Sequence, residues 1–296
     1  MPSTRRRFLA GAVAALAGCV SGGRDPSTND DTPEQTPVPT TSERPASSTL
    51  AFGETATVGE LDVRTTGAVV QDSYVALVYP DFADVVAAEG RQYLFLTVDA
   101  NGTPAPAAED FAVLTGDAAY VGQPRGSAGR PYREGRPYTP DAGHGWLLYE
   151  LPAPVESERI AVEFRPDEGA TDTWRLPEDV VGRLRRPAPA FEVRDFQAPD
   201  TARPDEPIEV SATVANVGDG AGTFRGSLNQ EGDLLYGADP FSFDLDAGEE
   251  RAWSETVTTH QGGEIEGQVT VRLRFRSAGG DHDRDVVVRP QETTAG

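Results

Sequence analysis

The sequence predicts an all-β protein of two β-sandwiches, and three observations carry that prediction. Apolar runs are short and are interrupted every few residues by turn formers, the chain holding 31 Gly and 24 Pro. Several runs alternate apolar and polar residues with period two, as a strand does when one face lies in a core and the other in water. Beyond residue 49 no stretch sustains the period of a long amphipathic helix. A chain of 296 residues has the length of about two domains, and Arg185-Arg186-Pro187-Ala188-Pro189 is the Pro-rich break between them.

Residues 1–18 come before any of this. Arg5, Arg6 and Arg7 precede an apolar run from Phe8 to Ala17, then Gly18 and Cys19, the parts of a signal peptide in their usual order. The apolar run is about half of the roughly 20 residues that a helix needs to cross a bilayer, so the segment is not expected to span. Residues 19–48 hold Cys19 and a Thr- and Pro-rich stretch with no aromatic residue. Such a stretch cannot bury enough apolar surface to offset the entropy of ordering, and it is expected to be a disordered stalk.

The first sandwich, residues 49–187, is expected to use Leu61–Thr66, Ala68–Tyr79, Gln92–Asp99, Phe111–Thr115, Trp146–Leu151 and Arg159–Phe164 as strands. Phe82–Glu89 reads as a short helix or turn and Pro177–Leu184 as a helical stretch. Gly116–Gly145, rich in Gly, Pro, Arg and Tyr, reads as a long loop. The second sandwich, residues 188–290, opens with Phe191, Val193 and Phe196. It continues through Ile208–Val214, Gly222–Leu228, Phe241–Leu245, Ala252–Thr258, Val269–Phe275 and Asp285–Val288, and 291–296 form a tail. Val269, Val271, Leu273 and Phe275 share one face there, while Thr270, Arg272, Arg274 and Arg276 share the other. About seven strands in roughly 100 residues is the count of an immunoglobulin-like sandwich, here without its cysteine pair. Asn216–Gly222 is expected to turn with glycine at positive φ, and Ala247-Gly248-Glu249 to close a hairpin.

Composition narrows the function. The net charge is −22, and all 26 basic residues are Arg. A surface so rich in carboxylates disfavours nucleic acid and anionic lipid headgroups as partners. The single cysteine excludes a disulfide framework. No Gly-x-Ser-x-Gly occurs, and no phosphate loop can form without Lys. His144, His260 and His282 are scattered without metal-ligand spacing, so no metal and no cofactor are expected. Asp281, Asp283 and Asp285 and the run Asp244-Leu245-Asp246-Ala247-Gly248 lack the ligand spacing of a calcium loop and read as a solvated edge. Asn101-Gly102-Thr103 is an N-glycosylation sequon at a strand end, which makes Asn101 a candidate acceptor. The loop residues Arg125, Arg130, Tyr132, Arg133, Arg136, Tyr138 and Trp146 are the binding candidates. Arg pairs with carboxylates and aromatic faces stack on sugars, so they would suit an envelope protein or a polysaccharide; a packed loop whose arginines neutralise nearby acids is the competing reading.

Five resemblances add to this. Arg6-Arg7-Phe8-Leu9 resembles the twin-arginine export signal, and Leu16-Ala17-Gly18-Cys19 resembles a lipobox, which implies cleavage before Cys19 and lipid on its thiol. Excess acid with Arg in place of Lys is similar to the composition of proteins from extreme halophiles, whose charge repulsion is screened over about 3 Å at 1 M salt. Val214-Ala215-Asn216-Val217-Gly218, Gly222-Thr223-Phe224 and Leu245-Asp246-Ala247-Gly248-Glu249 with Trp253 resemble the cell-adhesion-related (CARDB-like) immunoglobulin-like domain. Finally, Tyr93–Val98 with Asn101-Gly102, and Gly145–Pro152, are similar to uncharacterised immunoglobulin-like domains on lipoprotein stalks. Together they imply a protein held on the outer face of the cell membrane through lipid on Cys19, with a binding or structural role and no catalysis. A non-catalytic or solute-binding accessory of an envelope transport system stays open as an alternative, as does a secreted hydrolase. Oligomeric state is left open.

Overall fold

The computed structural model describes residues 47–78, 82–124, 130–131, 133–166, 171–204, 206–232, 235–258, 265 and 267–289. Arg6, Arg7, Cys19 and nearly all of the expected stalk lie outside them, as does the tail 291–296. The first half contains β1 (Ser48–Leu50), β2 (Thr55–Val58), β3 (Leu61–Gln71), β4 (Tyr74–Val78), β5 (Phe82–Val86), β6 (Arg91–Asn101) and β7 (Phe111–Thr115). It continues with β8 (Ala118–Val121), β9 (Arg130–Pro131), β10 (His144–Pro152), β11 (Ile160–Phe164), β12 (Asp172–Arg175) and helix α1 (Glu178–Leu184). The second half contains β13 (Phe191–Gln197), β14 (Thr201–Ala202), β15 (Pro207–Asn216), β16 (Gly222–Gly232), β17 (Leu235–Leu245), β18 (Glu250–Thr258), β19 (Val269–Ser277) and β20 (His282–Val288). The fold is all-β, with sheets packed face to face.

Residues before Pro187 feed one core and residues after it feed another. In the first, the sheets β1-β12-β11-β7-β8 and β10-β6-β3-β2 enclose Leu94, Leu96, Phe111, Leu147, Phe164 and Trp174, all fully buried. The alternation of β6 explains this face: Leu94, Leu96 and Val98 point inward, which sends Tyr93, Phe95, Thr97 and Asp99 outward. Helix α1 starts after Pro177, with Glu178 and Asp179 in its first turn and Arg183 in its last, and it plugs Val180 and Leu184 into the same core. In the second core, β13-β15-β18 faces β14-β20-β19-β16-β17 around Val210, Val214, Phe224, Leu228, Leu273 and Phe275.

Several expectations are corrected. Ser48, the last residue of the expected stalk, belongs to strand β1, because β1 pairs in parallel with β12 and the Ser48 hydroxyl donates to Asp172. Ala68–Tyr79 is not one strand: it breaks at Asp72-Ser73 into β3 and β4. Phe82–Val86, expected as helix or turn, is strand β5, paired with β4. The expected long loop 116–145 is paired in part, through β8 on β7, β9 on β4, and bridges from Gln123 and Pro137 to β10. Ala247-Gly248-Glu249 closes no hairpin. It carries the chain from β17 across to β18 in the opposite sheet, with Gly248 at φ 77°.

The glycines of 216–222 serve close approach instead of positive φ. A Cβ at Gly220 would overlap the Pro187 carbonyl, one at Gly218 the Ala190 nitrogen, and one at Gly222 the Pro189 ring. The Pro-rich break is thus pressed against this turn, and Asn216 fastens it. Its buried side chain donates to the carbonyls of Gly220 (2.8 Å), Asp246 (3.1 Å) and Leu245 (3.3 Å) and accepts from Gly218 (3.1 Å) and Ala190 (3.2 Å).

A second attachment joins the two cores. The hairpin β4–β5 lies on the outer face of β6 and β10, and the edge of β5 away from β4 faces β16. There Asn229, pointing out of the second core, accepts from the Ala83 N–H (2.9 Å) and donates to the Ala83 carbonyl (2.8 Å), satisfying both groups of an otherwise unpaired edge residue. Beside the Gly222 turn, Arg183 of α1 pairs with Asp72 at 2.5 Å. Burial pushes the Asp72 carboxyl up, partly opposed by Arg183, by Arg225 and by the Thr223 N–H.

Candidate functional site

The outward face of β10-β6-β3-β2 changes character along its strands. At one end Tyr93 and Phe95 of β6 and Trp146 and Leu148 of β10 are covered by Tyr74 and Ala76 of β4, forming a small aromatic cluster separate from the main core. The rings meet edge to face, Tyr74 with Tyr93 at 4.9 Å and Phe95 with Trp146 at 5.5 Å. Arg133 enters this cluster from the former loop. Its guanidinium lies 4.2 Å from the centre of Phe95 and 5.9 Å from that of Trp146, within cation–π range of both.

Among the described residues no carboxylate stands beside Arg133. Its Nε and Nη1 are buried without a hydrogen-bond partner, and so is Nε1 of Trp146. Burial alone lowers its affinity for its proton. By contrast Arg64, Arg183, Arg194, Arg272, Arg274 and Arg276 each sit against an acid. A half-buried cation with two unsatisfied donors departs from the rule that buried charge is paired.

At the other end of the face the strands present a polar row. Thr55, Arg64, Asp99 and His144 are register partners across β2, β3, β6 and β10. Arg64 bridges to Asp99 at 3.2 Å. Arg136 Nε donates to His144 Nε2 at 3.0 Å, which places the imidazole proton on Nδ1, facing the Ala142 carbonyl at 2.9 Å. Thr55, Asp62, Arg64, Asp99, Asn101 and His144 line a cleft of about 440 Å³.

The predicted binding loop is therefore divided. Arg133 goes to the aromatic end and Arg136 to the polar rim. Tyr138 and Trp146, expected as ligand-stacking aromatics, are 1% and 3% exposed and unavailable for that role. Tyr138 packs on Phe111 and donates its hydroxyl to the Pro106 carbonyl at 2.8 Å, because the 137–146 bridge draws it under the sheet. The Arg130 backbone pairs with Leu77, and its side chain lies outside the described residues. Arg125, Tyr132 and His260 also lie outside them. Asn101 is exposed at the end of β6.

Sequence reading missed Phe95, Tyr93, Tyr74, Arg64 and Asp99. The available signal was β6 itself, where large apolar residues occupy both faces from Tyr93 to Phe95, the mark of a strand covered on both sides. Asp283 and Asp285, read as a solvated edge, pair with Arg276 at 2.7 Å and Arg272 at 2.8 Å. Among the described residues no cluster of three His, Cys, Asp or Glu could hold a metal, and no helix is long and apolar enough to cross a membrane.

No protein-family model and no curated protein matches the chain. Among solved structures it is similar to a β-glucosidase from Listeria innocua in complex with isofagomine, at 19% identity over 35% of this chain and 16% of that one, TM-score 0.30. It is also similar to an uncharacterised β-sandwich protein from Clostridium difficile, at 12% identity over 46% of this chain and 97% of that one, TM-score 0.30. A DNA-bound alkylpurine DNA glycosylase from Pseudomonas fluorescens matches 38% of this chain and 33% of its own at 13% identity, TM-score 0.28.

Proposed function

We propose that the protein is an exported, halophilic lipoprotein that stands on the outer face of the cell membrane and acts by binding or structural display, without catalysis. The order of Arg6, Arg7, the apolar run and Cys19 supports export and lipid attachment, and residues 191–288 supply a CARDB-like immunoglobulin domain. The observation that carries the display role is the double attachment between the cores, Asn229 to Ala83 and Pro187–Ala190 onto Asn216–Gly222. It makes the folded part a single arm that presents the outer face of β10-β6-β3-β2. Two acyl chains anchor a protein stably where one does so only marginally.

Intact mass and membrane fractionation in a halophilic host test this reading beside a Cys19→Ser variant. The expected result is a lipid-sized mass gain on a chain beginning at Cys19, and release of the variant to the medium. An unmodified protein in the cytosol would overturn it.

A further inference from the structure

We propose that the outer face of β10-β6-β3-β2 binds a mostly neutral glycan bearing one carboxylate, with the carboxylate on Arg133 and neighbouring sugar hydroxyls on the rim of Arg64, Asp99 and Asn101. This rests on the binding role proposed above and names the ligand class. Three features of the face carry it.

First, Arg133 holds unused hydrogen-bonding capacity. Nε and Nη1 have no partner, and Nη2, which shares one edge of the guanidinium with each of them, is the nitrogen not enclosed. A carboxylate arriving at Nη2 can accept a charge-assisted hydrogen bond there, from a guanidinium that no acid neutralises among the described residues. Trp146 Nε1 is a further unpaired donor in the same cluster. Second, the aromatic end and the polar rim are joined along β6. Phe95 and Asp99 are four residues apart on one face, about 13 Å, the span of a short oligosaccharide. Between them the β3 bulge places Gly67 opposite Thr97, so no large β3 side chain stands at that point. Third, the rim selects against a polyacid. Asp62 and Asp99 accept hydrogen bonds from hydroxyls, whereas they repel the further carboxylates of an acidic peptide.

The test uses the full chain carrying Cys19→Ser, so that lipid attachment does not affect the result, and calorimetry at constant molar salt. The probes are an aldotriouronic acid (two neutral pentoses and one glucuronate), its carboxyl-reduced counterpart, and a glutamate trimer. The acid is expected to bind at least tenfold more tightly than its reduced form or the peptide. Arg133→Met, which keeps an apolar stem over Phe95, is expected to erase that preference, and the exposed Arg64→Ala to weaken binding severalfold. In the unsubstituted chain the Trp146 indole N–H resonance is expected to shift on adding the acid, a readout that needs no core variant. Equal binding of acid and reduced sugar, tighter binding of the peptide, no binding of any probe, or an unmoved Trp146 resonance would each overturn the proposal. Failure of the Cys19 fractionation would leave these measurements intact, so the two readings fall separately.

Discussion

Replacing Asn229 by Ala removes the side chain that closes both backbone groups of Ala83. Asn229 and Ala83 are 2% and 1% exposed, so the N–H and carbonyl of Ala83 lose bonds of 2.9 and 2.8 Å with little solvent to replace them. An unsatisfied buried group costs about 1–3 kcal/mol, and two give roughly 2–6 kcal/mol. Water entering the space left by the amide draws the value toward the lower half, about 2–4 kcal/mol. That is a large part of the stability of a typical domain. At about 2–4 °C per kcal/mol for a body of this size, the melting temperature is expected to fall by about 4–16 °C. Asn229→Asp is expected to cost at least as much. It keeps an acceptor for the Ala83 N–H but sets a buried carboxylate against the Ala83 carbonyl. Urea unfolding at constant molar salt measures the free energy, and hydrogen exchange at the Ala83 amide localises it. The amide is expected to exchange faster by the factor that the free-energy loss sets. A loss below about 0.5 kcal/mol, the size of an ordinary surface substitution, would refute the claim that this amide locks β5 to β16.

Two tyrosines separate a paired buried hydroxyl from an unpaired one. Tyr138→Phe is expected to cost about 1 kcal/mol through its bond to Pro106, while Tyr149→Phe, whose buried hydroxyl has no partner, is expected to be neutral or stabilising in the same unfolding assay. Burial pushes the Tyr138 hydroxyl up to about 12 and the Tyr149 hydroxyl higher still, so an alkaline absorbance titration is expected to show both ionising above the ordinary tyrosine value of about 10. The acid limb has its own prediction. Burial raises Asp72 above the usual carboxylate value, and burial with Asp239 beside it raises Glu255. Each folded pKa lies above its unfolded one, so the stability these groups contribute is complete below about pH 4 and is lost as pH rises through the raised values. The double variant Asp72→Asn, Glu255→Gln is expected to flatten the decline of stability from about pH 4 upward, and an unchanged slope would count against it.

Alternation along single strands was enough to place the core. Leu94, Leu96 and Val98, and likewise Val271, Leu273 and Phe275, go inward because a period-two pattern assigns every side chain a face. The turn motif Val-Ala-Asn-Val-Gly was legible too, but its mechanism was not. Asn216 and its glycines answer to Pro187–Ala190 and Leu245–Asp246, which meet them only in the folded chain. Phe82–Val86 carries no decisive local signal between strand and helix, and β4 decides it by offering an edge.

An all-β chain, the residues that share each strand face, and the N-terminal order of arginines, apolar run and cysteine behind the export proposal can all be read along the chain. What covers the outward faces is settled when distant segments meet in the folded chain. That meeting put Tyr74 over Phe95, Ala83 against Asn229, and Arg133 over the rings of Phe95 and Trp146. A strand's own pattern says which side chains point the same way, but the group that meets them is brought from a distant part of the chain.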